Sequence, residues 1–472
     1  MNAKKQDRMK PSGVSWLGDI PTGWNVIRNK NCFACSKEIV GTDSGDTQLL
    51  SLTTAGIKTK GRDVLGGKLP ESFDTYQIVR KNNLVMCLFD MDCSAVFSGV
   101  SPFDGMISPA YKVLMCKAGV DSQFTDYWFR FIGSDRVFMH YAKNIRHSLT
   151  YEDFADLPFL LPPLPEQRAI ADFLDEKCAA IDAIVEEAKS GIEEYAKWKQ
   201  SVVFQAVTKG LDPHAKRKDS GVEWIGEIPE EWKVAPLRFL TDGYKAGPFG
   251  SALITDQLQK SGTILVYTPE HIAKRETELP NNLHLPEERR EEMSQFFVKA
   301  GDVVFPIVGS LGRALQVTTS MPEGIINQRL AKFRLRSDRI DANYFMWLFA
   351  KSEFFKQHIE VVCRGSIIVN LTKSIVGDMP IPLPALPEQR AIAAYLDEKC
   401  AAIDALIEEK KQLIEDLGVY KKSLIYETVT GKRLPTSDGR LPGDSRLSTS
   451  DGPKVGSRMS EVESSGNRKQ RN

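Results

Sequence analysis

The sequence predicts an α+β protein built as a tandem repeat, in which two long antiparallel helices separate two similar globular heads. Three observations predict this fold. A motif that begins at Ser12 returns at Ser220, and a longer helical motif that begins at Leu164 returns at Leu386. The segments between these motifs agree in their apolar positions and differ in their polar ones. A whole domain followed by a helix is therefore present twice, and antiparallel pairing of the copies would give an approximate two-fold axis.

The repeated motifs lie near the two ends of each copy. Ser12-Gly-Val-Ser-Trp-Leu-Gly-Asp-Ile-Pro21 matches Ser220-Gly-Val-Glu-Trp-Ile-Gly-Glu-Ile-Pro229, and Trp24 matches Trp232. The block 164–184 matches 386–406 with three differences in 21 positions. Because the second motif returns after a longer interval than the first, the second copy carries a net insertion between them. Near-identical helices predict one kind of partner bound twice, whereas dissimilar heads predict two different ligands.

The length of 472 residues predicts two or three globular units. Apolar residues make up 42% and charged residues 26% of the chain, and no apolar run is long enough to cross a bilayer. The polar start lacks a secretory signal, so we expect a cytoplasmic protein with eight reduced cysteines. Because 62 basic residues balance 62 acidic ones, any contact with nucleic acid must come from local basic patches.

Both helical motifs open with Leu-Pro-Glu-Gln-Arg, where proline suits the first turn of a helix and glutamate suits its positive end. Apolar residues then recur every three or four positions, at Ile170, Phe173, Leu174, Cys178, Ile181, Ile184, Ala188, Ile192 and Tyr195, and at Ile392, Tyr395, Leu396, Cys400, Ile403, Leu406, Ile414 and Leu417. From Arg168 to Val207 this makes a rod of about 60 Å, which Gly210 should end, as Gly431 should end the second. Each helix could pack on its own domain, but we favour a coiled coil of the two.

The expected domains follow from these boundaries. Head one covers 1–163, the first helix 164–210, head two 211–385, the second helix 386–433, and a tail 434–472. The tail is rich in Ser, Gly, Asp and Arg with almost no apolar residues, which predicts disorder. Within the heads, β-rich runs at 84–89 and 303–308 and helical stretches at 125–134 and 342–351 predict the α+β class.

Polar and basic segments lie just before each long helix, at 144–151 and 364–373. Arg can bond guanine with two parallel hydrogen bonds, and Asn or Gln can do so with adenine. The candidate DNA-binding residues of head one are Lys58, Lys60, Arg62, Lys143, Asn144, Arg146 and His147. Those of head two are Arg313, Asn327, Gln328, Arg329, Arg364, Ser366, Asn370 and Lys373. For each one, a solvated surface charge or a turn-forming amide is the alternative interpretation.

The sequence contains no phosphate-binding G-x-x-x-x-G-K-[ST] loop, no H-E-x-x-H pair and no G-x-S-x-G elbow. Cys32 and Cys35 have the spacing of zinc ligands, but no second pair follows them. Cys178 and Cys400 are interpreted as small core residues. We therefore predict no catalytic residue, no metal site and no bound cofactor in this chain.

The doubled Trp-[Leu/Ile]-Gly-[Asp/Glu]-Ile-Pro and Leu-Pro-Glu-Gln-Arg-Ala-Ile motifs resemble those of the specificity subunits of type I restriction-modification enzymes, over nearly the whole chain to about Leu434. The resemblance implies that each head is a target recognition domain for one half of a split, asymmetric site in double-stranded DNA. It also implies that two methyltransferase subunits dock on 165–207 and 387–429. These subunits bind S-adenosylmethionine and methylate adenine, and a restriction subunit adds a nuclease and an ATP-driven translocase, with Mg²⁺ expected there.

Two other functions remain open. The helices could assemble a complex whose heads bind proteins instead of DNA, or the chain could be a self-contained DNA-modifying enzyme with motifs that the sequence does not display. A salt titration of DNA binding separates the first alternative from DNA reading, because phosphate contacts weaken steeply with salt. A methyl-transfer assay on the isolated chain tests the second.

Overall fold

A computed structural model describes residues 9–54, 56–61, 72–89, 98–134, 137, 141, 148–249, 252–309, 312–363 and 371–435. The fold divides into two compact units, Met1–Glu187 with Leu413–Asn472, and Ala188–Gln412. The first unit contains head one and the second contains head two. Each unit also contains the N-terminal part of one long helix and the C-terminal part of the other.

Head one is built around a four-stranded antiparallel sheet in the order β4-β11-β8-β9, beside several two-stranded pairs. Its strands are β1 Met9–Pro11, β2 Asp19–Pro21, β3 Asn25–Arg28, β4 Phe33–Cys35, β5 Leu50–Thr53, β6 Gly56–Thr59, β7 Gln77–Val79, β8 Leu84–Met86, β9 Ser98–Val100, β10 Gly105–Ile107, β11 Lys112–Cys116 and β12 Pro158–Leu161. The two-stranded pairs are β1-β2, β3-β12, β5-β6 and β7-β10.

Head two repeats this arrangement with a four-stranded sheet in the order β16-β22-β19-β20 and a three-stranded sheet in the order β18-β17-β21. Its strands are β13 Arg217–Asp219, β14 Glu227–Pro229, β15 Lys233–Pro236, β16 Thr241–Ala246, β17 Ile264–Tyr267, β18 His284–Leu285, β19 Asp302–Pro306, β20 Leu315–Gln316, β21 Gly324–Ile326, β22 Leu330–Leu335 and β23 Pro380–Leu383. β13 pairs with β14, and β15 with β23, as β1 with β2 and β3 with β12 in head one.

The helices confirm the α+β class. They are α1 Asn29–Cys32, α2 Ser122–Ser134, α3 Tyr151–Asp156, α4 Leu164–Lys209, α5 Pro269–Lys274, α6 Ala342–Phe349, α7 Phe354–Val362, α8 Lys373–Gly377 and α9 Leu386–Val429. α2 and α6 occupy equivalent places, since Asp121 and Asp341 each accept backbone N–H bonds at the helix start. Within the described ranges, no helix is both long enough and apolar enough to cross a membrane.

The two long helices contain 46 residues in α4 and 44 in α9. Both begin at the leucine of Leu-Pro-Glu-Gln-Arg, one turn before Arg168 in the case of α4. Each is followed by a glycine in the left-handed region, Gly210 at φ 73° and Gly431 at φ 74°. A side chain with a Cβ is strained there, so the predicted glycine stops are confirmed.

The helices pair antiparallel inside each unit. In the first unit Lys421 bonds Asp182 at 2.6 Å, and in the second Lys199 bonds Asp404 at 2.6 Å. Asp182 and Asp404 are equivalent positions of the repeat, as are Lys199 and Lys421, so these are the same Asp–Lys pair with the helices exchanged. The predicted antiparallel coiled coil is thereby confirmed, and the tandem repeat extends to individual contacts.

Each helix also packs on a head, so the two packings that the sequence left open occur together. In the first unit Ile170, Leu174 and Cys178 of α4 lie in one apolar core with Trp128 of head one and Leu424 of α9. One predicted position is wrong. Ile184 is 44% exposed although Ile181 and Ala188 are buried. An α-helix has about 3.6 residues per turn, so a pattern of apolar residues spaced three and four apart does not stay strictly on one face of the helix.

The two repeated sequence motifs meet in space. The Trp24 indole N–H donates to Glu166 at 2.8 Å, and the Trp232 indole N–H donates to Glu388 at 3.1 Å. The next residue, Gln167 or Gln389, is fully buried. Each of these pairs therefore fixes the start of a long helix to its own head, which explains why both motifs are duplicated together.

The buried glutamine makes three backbone bonds in each unit. Gln167 accepts from Asp121 N at 2.8 Å and donates to Pro162 O at 2.8 Å and Gly119 O at 3.0 Å. Gln389 makes the same set with Asp341 N, Pro384 O and Arg339 O. Backbone groups that have no helix or sheet partner are satisfied in this way.

Candidate nucleic-acid interface

Seven of the predicted DNA-binding residues lie within the described ranges: Lys58, Lys60, Arg313, Asn327, Gln328, Arg329 and Lys373. The other eight lie outside them: Arg62, Lys143, Asn144, Arg146, His147, Arg364, Ser366 and Asn370. That these fifteen residues contact DNA remains a prediction. The positions of the seven show which of them share a surface.

Asn327, Gln328 and Arg329 form the turn between β21 and β22, which we call the reader turn. Asn327 Oδ1 accepts from Arg329 N at 3.0 Å, and Leu330 N donates to Asn327 O at 3.1 Å. Asn327 N in turn donates to Tyr267 O at the end of β17, at 3.1 Å. The turn is therefore held by the strands on either side of it, which leaves Arg329 exposed.

Two other predicted segments reach the reader turn through the end of β19. Ile307 N donates to Arg329 O at 2.9 Å, and Leu371 N donates to Ile307 O at 2.8 Å. The Arg329 guanidinium also lies 3.3 Å from where a Cβ on Gly309 would be. Arg313 follows Ile307 in sequence and Lys373 follows Leu371, and both side chains are exposed. The segments that lead to them are therefore connected to the reader turn through hydrogen bonds of Ile307.

Head one uses the same framework with different polar groups. Leu149 N donates to Leu88 O at 2.8 Å, which is the equivalent of the bond between Leu371 and Ile307. The predicted segment 144–147, which precedes Ser148 in sequence, lies outside the described residues. The residue that follows β10, in the place of Asn327, is Ser108, whose carbonyl accepts from Gln77 Nε2 at 3.3 Å.

Lys58 and Lys60 lie on or next to strand β6 of head one. Lys58 is exposed and pairs across the hairpin with Ser51. Lys60 is half-buried, and its N–H donates to Leu49 O at 2.8 Å. Leu49 itself bridges Met106 of β10. Lys60 therefore lies close to the strand that leads into Ser108.

A cleft of about 460 Å³ opens beside the reader turn. It is lined by Leu253, Ile254, Asp256, Leu258, Val266, Thr268, Leu283, Asn327 and Gln328. The Gln328 amide N–H₂ donates to Leu253 O across it. The cleft could not be predicted from the sequence, because its lining comes from four separate segments of the chain.

The charges of head two divide into two groups. Several basic side chains form ion pairs: Arg289 with Glu292, Arg290 with Glu323, Lys332 and Arg334 with Asp302, and Arg336 with Asp242. By contrast, Arg313, Arg329 and Lys373 have no acidic partner among the residues that the structure describes. Their charges remain available to an anion, which is the electrostatic condition for binding phosphate.

Two thiols of head one have a raised pKa. Burial raises the pKa of the Cys32 thiol to about 12 and that of Cys116 to about 11. In the described part of the chain, no group of three or more His, Cys, Asp or Glu side chains could hold a metal ion. Cys178 and Cys400 are buried in the helix cores, as predicted.

Comparison with known proteins identifies relatives of one kind. The family model described as the type I restriction modification DNA specificity domain matches residues 229–416. The type I restriction enzyme MjaVIII specificity subunit of Methanocaldococcus jannaschii is 28% identical over 283 residues, 59% of this chain and 63% of that protein. The putative MjaX specificity subunit of the same organism is 26% identical, over 67% of this chain and 69% of that protein. The match thus spans less than two thirds of the first relative.

Two solved structures share the fold. One, from a study of complex assembly and conformational transition of the type I R-M system, has a TM-score of 0.66 and 16% identity, covering 87% of this chain and 99% of that one. The HsdS subunit from Thermoanaerobacter tengcongensis has a TM-score of 0.51 and 17% identity, covering 87% of this chain and 98% of that one. At these identities the likeness concerns the fold alone.

Proposed function

We propose that this chain, which is similar to type I restriction-modification DNA specificity subunits, reads a DNA sequence for such an enzyme and catalyses no reaction itself. Each head reads one half of a bipartite, asymmetric site in double-stranded DNA. The two long helices space the halves and carry the partner subunits. A spacer of about 60 Å corresponds to between one and two helical turns of DNA, at about 34 Å per turn.

The observation that carries this proposal is that the heads share a framework and differ at the surface above it. The bond from Leu371 to Ile307 has its equivalent in head one, from Leu149 to Leu88. The turn next to this bond, however, presents Asn327 in head two where head one has Ser108. A protein that reads two unlike half-sites needs such a combination, because base edges are recognised by the hydrogen-bonding groups of individual side chains.

The helices support docking of one kind of partner twice. Burial explains identity at core positions of the repeat, but four alanines are exposed and identical in both copies. We call these residues the alanine faces: Ala169, Ala179, Ala180 and Ala183 of α4, and Ala391, Ala401, Ala402 and Ala405 of α9. We propose that each face docks one methyltransferase subunit, because small side chains permit close approach of a partner.

The remaining chemistry belongs to the partners in this proposal. S-adenosylmethionine binds to the methyltransferase subunits, and ATP and Mg²⁺ bind to restriction subunits that join the complex. This chain contributes neither cofactor ligands nor a nucleophile. Its cytoplasmic location stays a prediction.

A salt titration of DNA binding by the assembled complex tests DNA reading. The affinity for a duplex that contains the target should fall steeply with salt, because the protein displaces counterions from phosphates. The Arg329→Ala variant should reduce the slope by about one unit if Arg329 contacts one phosphate. An assembled complex that fails to bind DNA would instead support protein-binding heads. Methyl transfer by the isolated chain would contradict the absence of catalysis.

Head independence has its own test. Asn327→Ala should relax discrimination in one half of the target, by about 1 to 3 kcal/mol if the contact is bidentate. Lys58→Ala, in head one, should act only on the other half. The readout is methylation of targets with single mismatches in each half. Equal damage to both halves by either variant would contradict the assignment of one head to each half.

Partner docking is tested by stoichiometry. Ala180→Arg in one face should leave a complex with one methyltransferase subunit instead of two, because the long side chain blocks that face alone. Ala180→Arg combined with Ala402→Arg should remove both subunits. Lys197→Ala, at an exposed position where the second copy has Val419, is the control. Two bound subunits in the double variant, measured by native mass spectrometry, would exclude the alanine faces.

A further inference from the structure

Phe249 is the most exposed large apolar side chain in the described part of the chain, at 77%. It follows Gly247 and Pro248 in the connection between β16 and β17 of head two. Removal of a phenylalanine ring from water is among the more favourable burials of a side chain. An isolated protein that leaves the ring in water gives up that stabilisation, which a ligand covering the ring can recover.

The loop that carries Phe249 is attached to the reader turn at both ends. On one side Gly247 N donates to Leu330 O at 2.8 Å, and the backbone runs so close to Asn327 O that a Cβ on Gly247 would overlap it. On the other side Leu253 O accepts from the Gln328 amide. Residues 250 and 251 lie outside the described ranges. Phe249 is therefore held beside Asn327 and Gln328.

The connection that carries Phe249 is longer than its equivalent in head one. Strand pairing identifies the equivalent positions of the two heads. Phe33 pairs with Cys116 in head one, and its equivalent in head two is Thr241. Leu49 pairs with Met106 in head one, and its equivalent in head two is Val266. The two positions are sixteen residues apart in the sequence of head one and twenty-five residues apart in that of head two. This longer connection accounts for most of the net insertion in the second copy.

The surroundings of Phe249 favour DNA as the molecule that covers it. The backbone of the loop lies beside the reader turn, which carries the amides of Asn327 and Gln328 and the Arg329 guanidinium. Arg329 has no acidic partner in the described part of the chain, and Ile307 bonds to both its carbonyl and the Leu371 N–H. These are groups for base edges and phosphates. In the major groove, thymine also presents a 5-methyl group, which apolar side chains such as Phe contact.

We propose that Phe249 contacts the 5-methyl group of a thymine in the half-site read by head two. The inference rests on the proposed function and adds a specificity determinant that the hydrogen-bonding groups do not supply. It also gives the insertion in head two a purpose, since the equivalent connection in head one is shorter.

The test replaces each thymine of that half-site in turn by uracil, which removes only the methyl group. The wild-type complex should lose affinity about fourfold at one position, which corresponds to roughly 0.8 kcal/mol for one buried carbon. The Phe249→Ala complex should bind more weakly and should no longer distinguish thymine from uracil there. Its salt dependence should match that of the wild type, because an apolar contact releases no counterions.

Phe239→Ala is the matched control. Phe239 is also exposed in head two, at 52%, but the Arg238 guanidinium lies over its ring at 4.9 Å. This variant should keep the uracil effect. The proposal is overturned if no thymine of the half-site responds to uracil, if the response survives in Phe249→Ala, or if Phe249→Ala disrupts assembly with the partner subunits instead. Failure of the wild-type complex to bind DNA would refute the proposed function itself.

Discussion

At the scale of single residues, the buried glutamine at the start of each long helix has the clearest structural role. Gln167→Ala would leave one N–H and two C=O groups of the backbone without their partner. An unsatisfied buried group costs about 1 to 3 kcal/mol, and only the bond to Pro162 O is fully buried, so the free energy of unfolding should fall by about 1 to 3 kcal/mol. Gln389→Ala should have the same effect in the second unit. Denaturant unfolding of the full chain measures both.

Arg168→Ala is the control for the glutamine variants. The Arg168 side chain is next to Gln167 in sequence, is exposed and lies 3.9 Å from Asp121, and such a pair is worth less than about 1 kcal/mol. If Arg168→Ala and Gln167→Ala destabilise the chain equally, the three backbone bonds are not what attaches the helix to the head.

A second residue-scale prediction concerns His358 of head two. Burial lowers the pKa of His358, while its Nε2–H donates to Ile375 O at 2.9 Å. Below its ordinary pKa of about 6.5, unfolded His358 gains a proton that the folded side chain does not accept. The contribution of His358 to the free energy of unfolding should therefore be complete above a pH of about 6.5 and should decrease as the pH falls through that value.

His358→Gln separates this contribution from the remaining pH dependence, because glutamine can donate to Ile375 O but does not titrate. Its free energies of unfolding one pH unit above and one pH unit below that value should differ less than those of the wild type. His214→Gln, at an exposed position, serves as the control. An equal loss of stability on acidification in the wild type and in His358→Gln would contradict the prediction.

At the scale of elements, Gly105 of β10 and Gly324 of β21 are equivalent glycines. Each begins the strand that leads into a turn, at Ser108 in head one and at Asn327 in head two. A Cβ on Gly105 would overlap Gln48 O, and a Cβ on Gly324 would overlap Leu265 O. Substitution by alanine should cost about 1 to 3 kcal/mol through overpacking and should displace the turn that follows the strand. Gly324→Ala should therefore weaken reading of one half-site and Gly105→Ala reading of the other, as methylation of mismatched targets would measure.

Gly418→Ala in α9 is the control for these two variants. No atom lies within 4 Å of where its Cβ would be, and alanine in a helix is favoured over glycine by roughly 1 kcal/mol. It should stabilise the chain and leave DNA reading unchanged. A loss of reading in both halves after Gly324→Ala would show that the two turns are not independent.

The long helices and the repeat could be predicted because both signals can be read along the chain. Periodicity shows at Ile170 and Leu174, and glycine stops at Gly210 and Gly431. The bond between Trp24 and Glu166 was not predicted, since 142 positions separate the two residues. Nothing in a linear pattern states which distant segments meet.

The candidate site was predicted less completely for the same reason. Residue type alone selected Asn327 and Arg329, but it could not show that Ile307 joins their turn to the segment before Lys373. Phe249 was missed because its exposure depends on tertiary structure. Its one local signal is the sequence Gly247-Pro-Phe-Gly250, in which an apolar residue lies among turn formers.

At the scale of the whole molecule, the two units differ in how the chain supplies them. The second unit is one continuous segment, Ala188–Gln412, whereas the first needs Leu413–Asn472 in addition to Met1–Glu187. In the first unit Leu424, Ile425 and Val429 of α9 are buried in the core that contains α4 and head one. Their absence would expose the stripe of α4 formed by Ile170 and Leu174.

We therefore expect the fragment 188–412 to fold alone and the fragment 1–187 to require a second piece of chain. Each of the three missing side chains contributes roughly 1.5 to 3 kcal/mol when buried, so loss of α9 should cost at least about 5 kcal/mol, a large part of the stability of an ordinary domain. Circular dichroism and limited proteolysis should show a cooperative transition for 188–412. Fragment 1–187 should gain one only when a peptide of residues 413–435 is added. Cooperative unfolding of monomeric 1–187 without that peptide would mean that head one does not depend on the second helix.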